Sequence, residues 1–190
     1  MALDKASLRE IVEEYGDRWY HVTDASRLDG VLRRGLVPGI PGHWSPGLVR
    51  EGSVYLASYL EVYGVLTEDC DIDWGDAIVG VDLPSLDLAL LVADEDALRP
   101  AGSKSTAVSI IRAHPLIDTP AEMLKLVMDR GTIAYMGAIP PSSLHLEYVP
   151  RGRSDVYGAA ALRGRLMRSA YWGKGEFANP DFDTEYRMAH

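Results

Sequence analysis

His21 lies in the segment RWYHVT, residues 18–23, among aromatic and β-branched neighbours that read as a strand. An imidazole at a strand end can exchange hydrogen bonds or a proton with a ligand near neutral pH. The same neighbours suit a core histidine satisfied by a backbone group, and on these residues alone both readings stand. Tyr55, Tyr59 and Tyr63 recur every four residues, which fits rings that a ligand stacks on or one aromatic helix face packed on a core. Residues 69–76 alternate carboxylates in the manner of a calcium loop. Gly75 stands seventh rather than sixth, however, and Gly80 stands where a bidentate Glu is needed, so a solvated acidic turn is the better reading. Asp94, Glu95 and Asp96 offer three acids, but consecutive side chains on a turn diverge, and they read as surface. His43 and Trp44 can touch a ligand from a Pro/Gly-rich loop, and the GSKST run at 102–106 lacks the upstream glycine and strand of a phosphate loop.

Composition bounds what these residues can serve. The chain has 190 residues with 47% hydrophobic and 25% charged, which excludes a disordered or collagen-like chain. Lys and Arg number 19 against 28 Asp and Glu, a net charge of −9 that argues against broad phosphate binding. Cys70 stands alone, so neither an internal disulfide nor a thiolate zinc site is available, and no metal site is expected. No apolar run approaches the ~18–20 residues of a membrane span, and the first fourteen residues are too acidic for a targeting peptide. A cytoplasmic protein that does not engage a membrane is expected.

The elements that must position these residues follow from periodicity. Leu8, Ile11, Val12 and Tyr15 at i, i+3, i+4, i+7 predict a helix over 4–15 ended by Gly16. The strand at 18–23 leads to Asp24 or Ser26 as cap of a second helix, which is stopped at Gly35. Residues 38–52 hold three prolines and four glycines and read as a long loop. A short strand at 53–56, a helix at 58–66, a buried strand at 77–83 closed by Pro84, and irregular structure at 110–117 follow. Thr119 and Pro120 mark a helix start. Strands are expected at 132–138 and 144–149. This is an α+β pattern over residues 1–150. Residues 151–190 change character: Arg151, Arg153, Arg163, Arg165 and Arg168 with Tyr157, Tyr171 and Trp172 form a basic, partly helical C-terminal appendage and tail. Such a run is a solvated face or a nucleic-acid surface.

Tyr20-His21-Val22-Thr23, followed by Leu28-x-x-Val31-Leu32-x-x-Gly35-Leu36, resembles the first motif of the ADP-ribosyltransferase-like superfamily, Y-H-x-[TS] before a helix ending in G-L. Gly52-Ser53-Val54-Tyr55-Leu56-Ala57 is similar to its second motif, G-x-x-Y-[FL]-A. Residues 90–96 look like the strand and D-E-D turn of small bacterial and phage members, and Ile139-Pro140-Pro141 resembles the link that introduces their final strand. The resemblance covers residues 18–150.

It implies split mixed β-sheets with short flanking helices, and a toxin-like glycosyltransferase that takes NAD as substrate, cleaves the nicotinamide–ribose bond and transfers ADP-ribose to a protein or nucleic-acid acceptor. His21 would donate to a ribose hydroxyl and the Val22 backbone would bind the carboxamide. Tyr55 would stack on nicotinamide with Tyr63 as the other wall, and Thr23 would steady His21. The family pattern opens the strand before the Ile-Pro-Pro link with Glu, or in divergent members Gln, Asp or a smaller residue. Thr132 falls there, with Glu122 on the preceding helix as a fallback carboxylate. Thr can hydrogen-bond a ribose but is no general base at neutral pH. A catalytically silent binding module and an RNA 2′-phosphotransferase-like enzyme are the alternatives that the same resemblance leaves open.

Overall fold

The computed structural model describes residues 3–39, 52–59, 76–94 and 119–149. Local signals set the helices. Asp4 caps α1 (Lys5–Tyr15) by accepting from the Ser7 N–H at 2.7 Å, and Gly16 ends it. Asp24 at the end of β1 (Arg18–Asp24) accepts from the Ser26 N–H at 2.7 Å, which turns the chain through one 3-10 turn into α2 (Leu28–Arg34). α3 (Pro120–Arg130) opens with a full capping box. The Glu122 N–H donates to Thr119 Oγ1 at 3.2 Å, and the Thr119 N–H donates to Glu122 Oε2 at 3.2 Å. Gly131 closes this helix in the left-handed conformation. No helix among the described residues is long and apolar enough to cross a membrane.

β2 (Val54–Ala57), β3 (Asp76–Asp82), β4 (Leu91–Ala93), β5 (Thr132–Tyr135) and β6 (Leu144–Tyr148) complete a six-stranded sheet in the order β4-β5-β2-β1-β3-β6. The fold is therefore of the α+β class. Instead of the mixed sheets expected, every ladder among the described residues is antiparallel. Neighbours run in opposite senses, so no parallel crossover unit is required. β5 is shorter than the stretch 132–138, and the Met136 N–H, donating to the Leu90 carbonyl at 2.8 Å, is the last bond toward β4 in its register. β1 pairs with β3 along its whole length, and β2 pairs with β5 along its whole length. β1 and β2 meet only at Tyr20↔Ala57. The sheet thus consists of two halves joined by a single rung.

Apolar alternation buries one face of both halves. Trp19, Leu56, Ile133 and Leu91 form one core cluster with Ile11 and Tyr15 of α1 and Met123 and Val127 of α3. The Tyr15 ring stands edge-on to Trp19 at 5.8 Å and to Tyr59 at 6.4 Å, and its hydroxyl donates to the Met128 carbonyl, tying α1 to α3. α2 sets Leu28 on Ala77 and Val79 of β3. Trp19 is fully buried, so truncating it to Ala would cost ~3–5 kcal/mol.

A second tie joins distant segments. Leu36 and Ile139 exchange both backbone hydrogen bonds, each at 2.9 Å, as an isolated antiparallel bridge. The approach requires Gly35. Its φ is +88°, and a Cβ placed there would lie 2.0 Å from the Ile139 carbonyl oxygen. Gly16 has nearly the same backbone, φ +80° and ψ 173°, but nothing within 4 Å of a Cβ. Gly16→Ala should therefore cost only the ~1–3 kcal/mol of backbone strain. Gly35→Ala should cost a further ~1–3 kcal/mol because the bridge must move. Urea unfolding of the two variants separates these terms, and equal losses would show that the Ile139 carbonyl yields freely.

Candidate functional site

The site is built where β1 and β2 part. In an antiparallel strand the N–H and C=O of one residue point to the same neighbour, and alternate residues point to opposite neighbours. The Ser58 N–H donates to the Gly131 carbonyl at 2.7 Å, next to β5. Ala57 and Tyr55 therefore turn their backbone groups toward β1. The Leu83 N–H donates to the Asp17 carbonyl at 2.9 Å, so odd-numbered residues of β1 face β3 and even-numbered ones, Tyr20 and Val22, face β2. Continued by two residues, the Tyr20↔Ala57 register would set Val22 against Tyr55, but no such pair forms. His21 takes the place of the missing rung. Its Nδ1 lies 2.9 Å from the Tyr55 carbonyl oxygen, and a carbonyl only accepts, so Nδ1 carries the proton. The N–H and C=O of Val22 point into the parting beside this ring, and its side chain is 45% exposed.

Burial pushes the His21 pKa below the ordinary histidine value, and the bond to the Tyr55 carbonyl opposes that shift more weakly. The ring is therefore neutral near pH 7, with Nδ1–H committed to Tyr55 and Nε2 bare. Toward a ligand hydroxyl the ring is an acceptor at Nε2, which differs from the donor role expected of it. It becomes a donor there only when protonated.

Strand alternation sorts the other residues. Thr23 is half-buried, shares the face of His21 and sits opposite Ala77. Tyr55 and Thr132, both half-buried, share the opposite face with Ala57 and Tyr20, and Thr132 pairs with Ala57. The contact between His21 and Tyr55 thus runs through the Tyr55 backbone. Tyr55 is a strand residue and Tyr59 a core residue packed on Tyr15, so the two do not share a helix face. Glu122 is engaged in the α3 capping box, which accounts for that carboxylate. Asp94 departs from its reading as surface: it is only 7% exposed at the end of β4. Its burial departs from the alternation of β4, in which Leu91 and Ala93 are buried and Val92 half-buried, so the strand period does not foretell it. Tyr63, His43, Trp44, Cys70, Glu95, Asp96, the acidic turn after 68, the GSKST run, the segment 110–117 and the appendage at 151–190 lie outside the described residues.

No protein-family model matches the chain, and no curated protein or solved structure matches it either.

Because the folded state holds His21 neutral, the unfolded chain takes up the proton first as the pH falls through about 6.5. Stability contributed above that pH is then lost until the lower folded value is passed. The parent should lose more stability between pH 7.5 and pH 5 than His21→Gln, measured by urea unfolding at each pH. Nitrogen-15 NMR should report the Nδ1–H tautomer at neutral pH. Parallel stability profiles, or an Nε2–H tautomer, would refute the assignment.

Proposed function

We propose that this chain is an ADP-ribosyltransferase-like enzyme of the split-sheet type that binds NAD, breaks its nicotinamide–ribose bond and passes ADP-ribose to a macromolecular acceptor, protein or nucleic acid. The observation that carries the reading is the parting of β1 from β2, where the His21 ring is tied to the Tyr55 carbonyl and the Val22 backbone is left facing the gap. Two further motif segments are joined to each other, since Leu36 and Ile139 are locked together by the backbone bridge.

A ligand lodged in the parting meets the sheet from both sides. The Val22 N–H and C=O offer one donor and one acceptor, the pair a carboxamide needs. Tyr55 offers an aromatic face to the cationic nicotinamide ring, Nε2 of His21 accepts from a ribose hydroxyl, and Thr23 supports the His21 strand. Thr132 offers a hydroxyl on the Tyr55 face. Cleavage builds positive charge on the ribose, so fixed acceptors and dipoles around the sugar lower the barrier. With its lone cysteine the chain suits a reducing, cytoplasmic setting. The absence of a carboxylate at Thr132 favours the second reading, a silent module that binds NAD without turning it over.

Titration calorimetry with NAD tests binding, and chromatography of released nicotinamide tests cleavage. The parent should do both, while Tyr55→Ala should keep its circular dichroism and bind NAD ~2–30-fold more weakly, the equivalent of a ~0.5–2 kcal/mol cation–π contact. Binding without nicotinamide release selects the silent module. A parent that does not bind NAD at millimolar concentration overturns both readings.

A further inference from the structure

We infer that one interior water molecule bridges Trp19 and Ser58 on the core face of the sheet and ties β1 to β2 beside their single rung; the inference stands apart from the NAD reading above. Among the described residues, Arg18 Nε, Trp19 Nε1 and Ser58 Oγ are the buried side-chain polar atoms without a hydrogen-bond partner. The Arg18 side chain is still 31% exposed and donates through Nη1 to Glu147 at 3.1 Å. Trp19 and Ser58 are fully buried. An indole N–H or a hydroxyl sealed away without a partner carries the whole cost of its desolvation, so native structures pair such groups with protein or with ordered water.

Strand register brings these two residues together. Tyr20 and Ala57 form the rung and turn their backbone groups toward each other, so the adjacent pair, Trp19 and Ser58, is of the non-hydrogen-bonded kind, whose side chains stand closest. Ser58 keeps the line of β2, because its N–H donates to the carbonyl of Gly131, the residue next to the Ala57↔Thr132 pair. Alternation then gives both side chains the face of Leu56, which lies in the same core cluster as Trp19. Two polar atoms are thus buried on one face of one strand pair, and they are not bonded to each other. A water between them spans up to ~6 Å, two hydrogen bonds end to end. It accepts from the indole N–H, which only donates, and exchanges a hydrogen bond with the Ser58 hydroxyl, which does either. Two protein partners are enough to retain an interior water. On the other side of the rung the His21 ring holds the Tyr55 carbonyl. The rung is therefore flanked by an imidazole tie and by a water tie.

Oxygen-17 relaxation dispersion of the solvent, recorded with the full chain, counts the waters a protein holds for longer than it takes to tumble. Ser58→Ala and Trp19→Phe should each lower the dispersion amplitude by about one water relative to the parent, because each removes one end of the bridge. The double variant should lose the same water and no more, since the two changes act on one shared partner. An unchanged amplitude in Ser58→Ala overturns the proposal. So does a double variant that loses about two waters, because the two groups then hydrate separately. Should Trp19→Phe not fold, a crystal structure of the parent decides in its place: one ordered water within hydrogen-bond distance of both Trp19 Nε1 and Ser58 Oγ is the expected result. A direct bond between those atoms, a Ser58 hydroxyl bonded to another protein group, or an indole N–H set on the face of the Tyr15 ring overturns it. Both measurements are made without NAD, so their outcome and that of the NAD reading are independent.

Discussion

Every backbone N–H and C=O inside a folded chain needs a partner, and in this protein the demand is hardest to meet in the middle of the sheet. A ladder that stops after one rung leaves the following donors and acceptors facing a gap. The chain answers with side chains and distant backbone. The His21 imidazole occupies the Tyr55 carbonyl, Gly131 receives the Ser58 N–H at the end of β2, and Leu36 and Ile139 satisfy each other. The Val22 backbone groups and the Tyr55 N–H are turned to the opening. The interruption of the sheet is therefore also the origin of the geometry on which the proposed NAD site rests.

His21 carries two requirements that pull on its proton in opposite directions. The Tyr55 carbonyl favours a protonated Nδ1, while the surrounding protein disfavours charge on the ring. The neutral Nδ1–H form satisfies both, and it fixes the polarity of the remaining nitrogen without any further contact. A glutamine can imitate the hydrogen bond but not the switch of Nε2 between acceptor and donor.

What was legible in the sequence was what local chemistry decides. Asp4 and Gly16 bracket α1, Thr119 and Pro120 open α3, and the aromatic run at 18–23 becomes β1. Where a spacing fits two periods, the sequence could not choose. Offsets of four between Tyr55 and Tyr59 agree with both 3.6 and 2.0, and the chain passes from strand to helix between them. Pairing was equally hidden. The β1–β2 and β4–β5 contacts join residues far apart in sequence, so neither the single rung nor the antiparallel sense of these ladders is written in any local pattern. Glu122 is recruited by its own helix terminus, and the burial of Asp94 at the end of β4 is written in no local pattern.

A sheet bonded along every strand twists as one body, and torsion applied at one edge is felt at the other. Here a single rung at Tyr20↔Ala57 has to transmit that torsion between β4-β5-β2 and β1-β3-β6. The two halves are thus free to hold different degrees of coiling, with the α1 to α3 tie through Tyr15 limiting how far they diverge. Such a joint is compliant in rotation while each flank stays stiff. Amide exchange would therefore sort this one domain into two separately opening units, with the boundary between them running through the parting of β1 and β2.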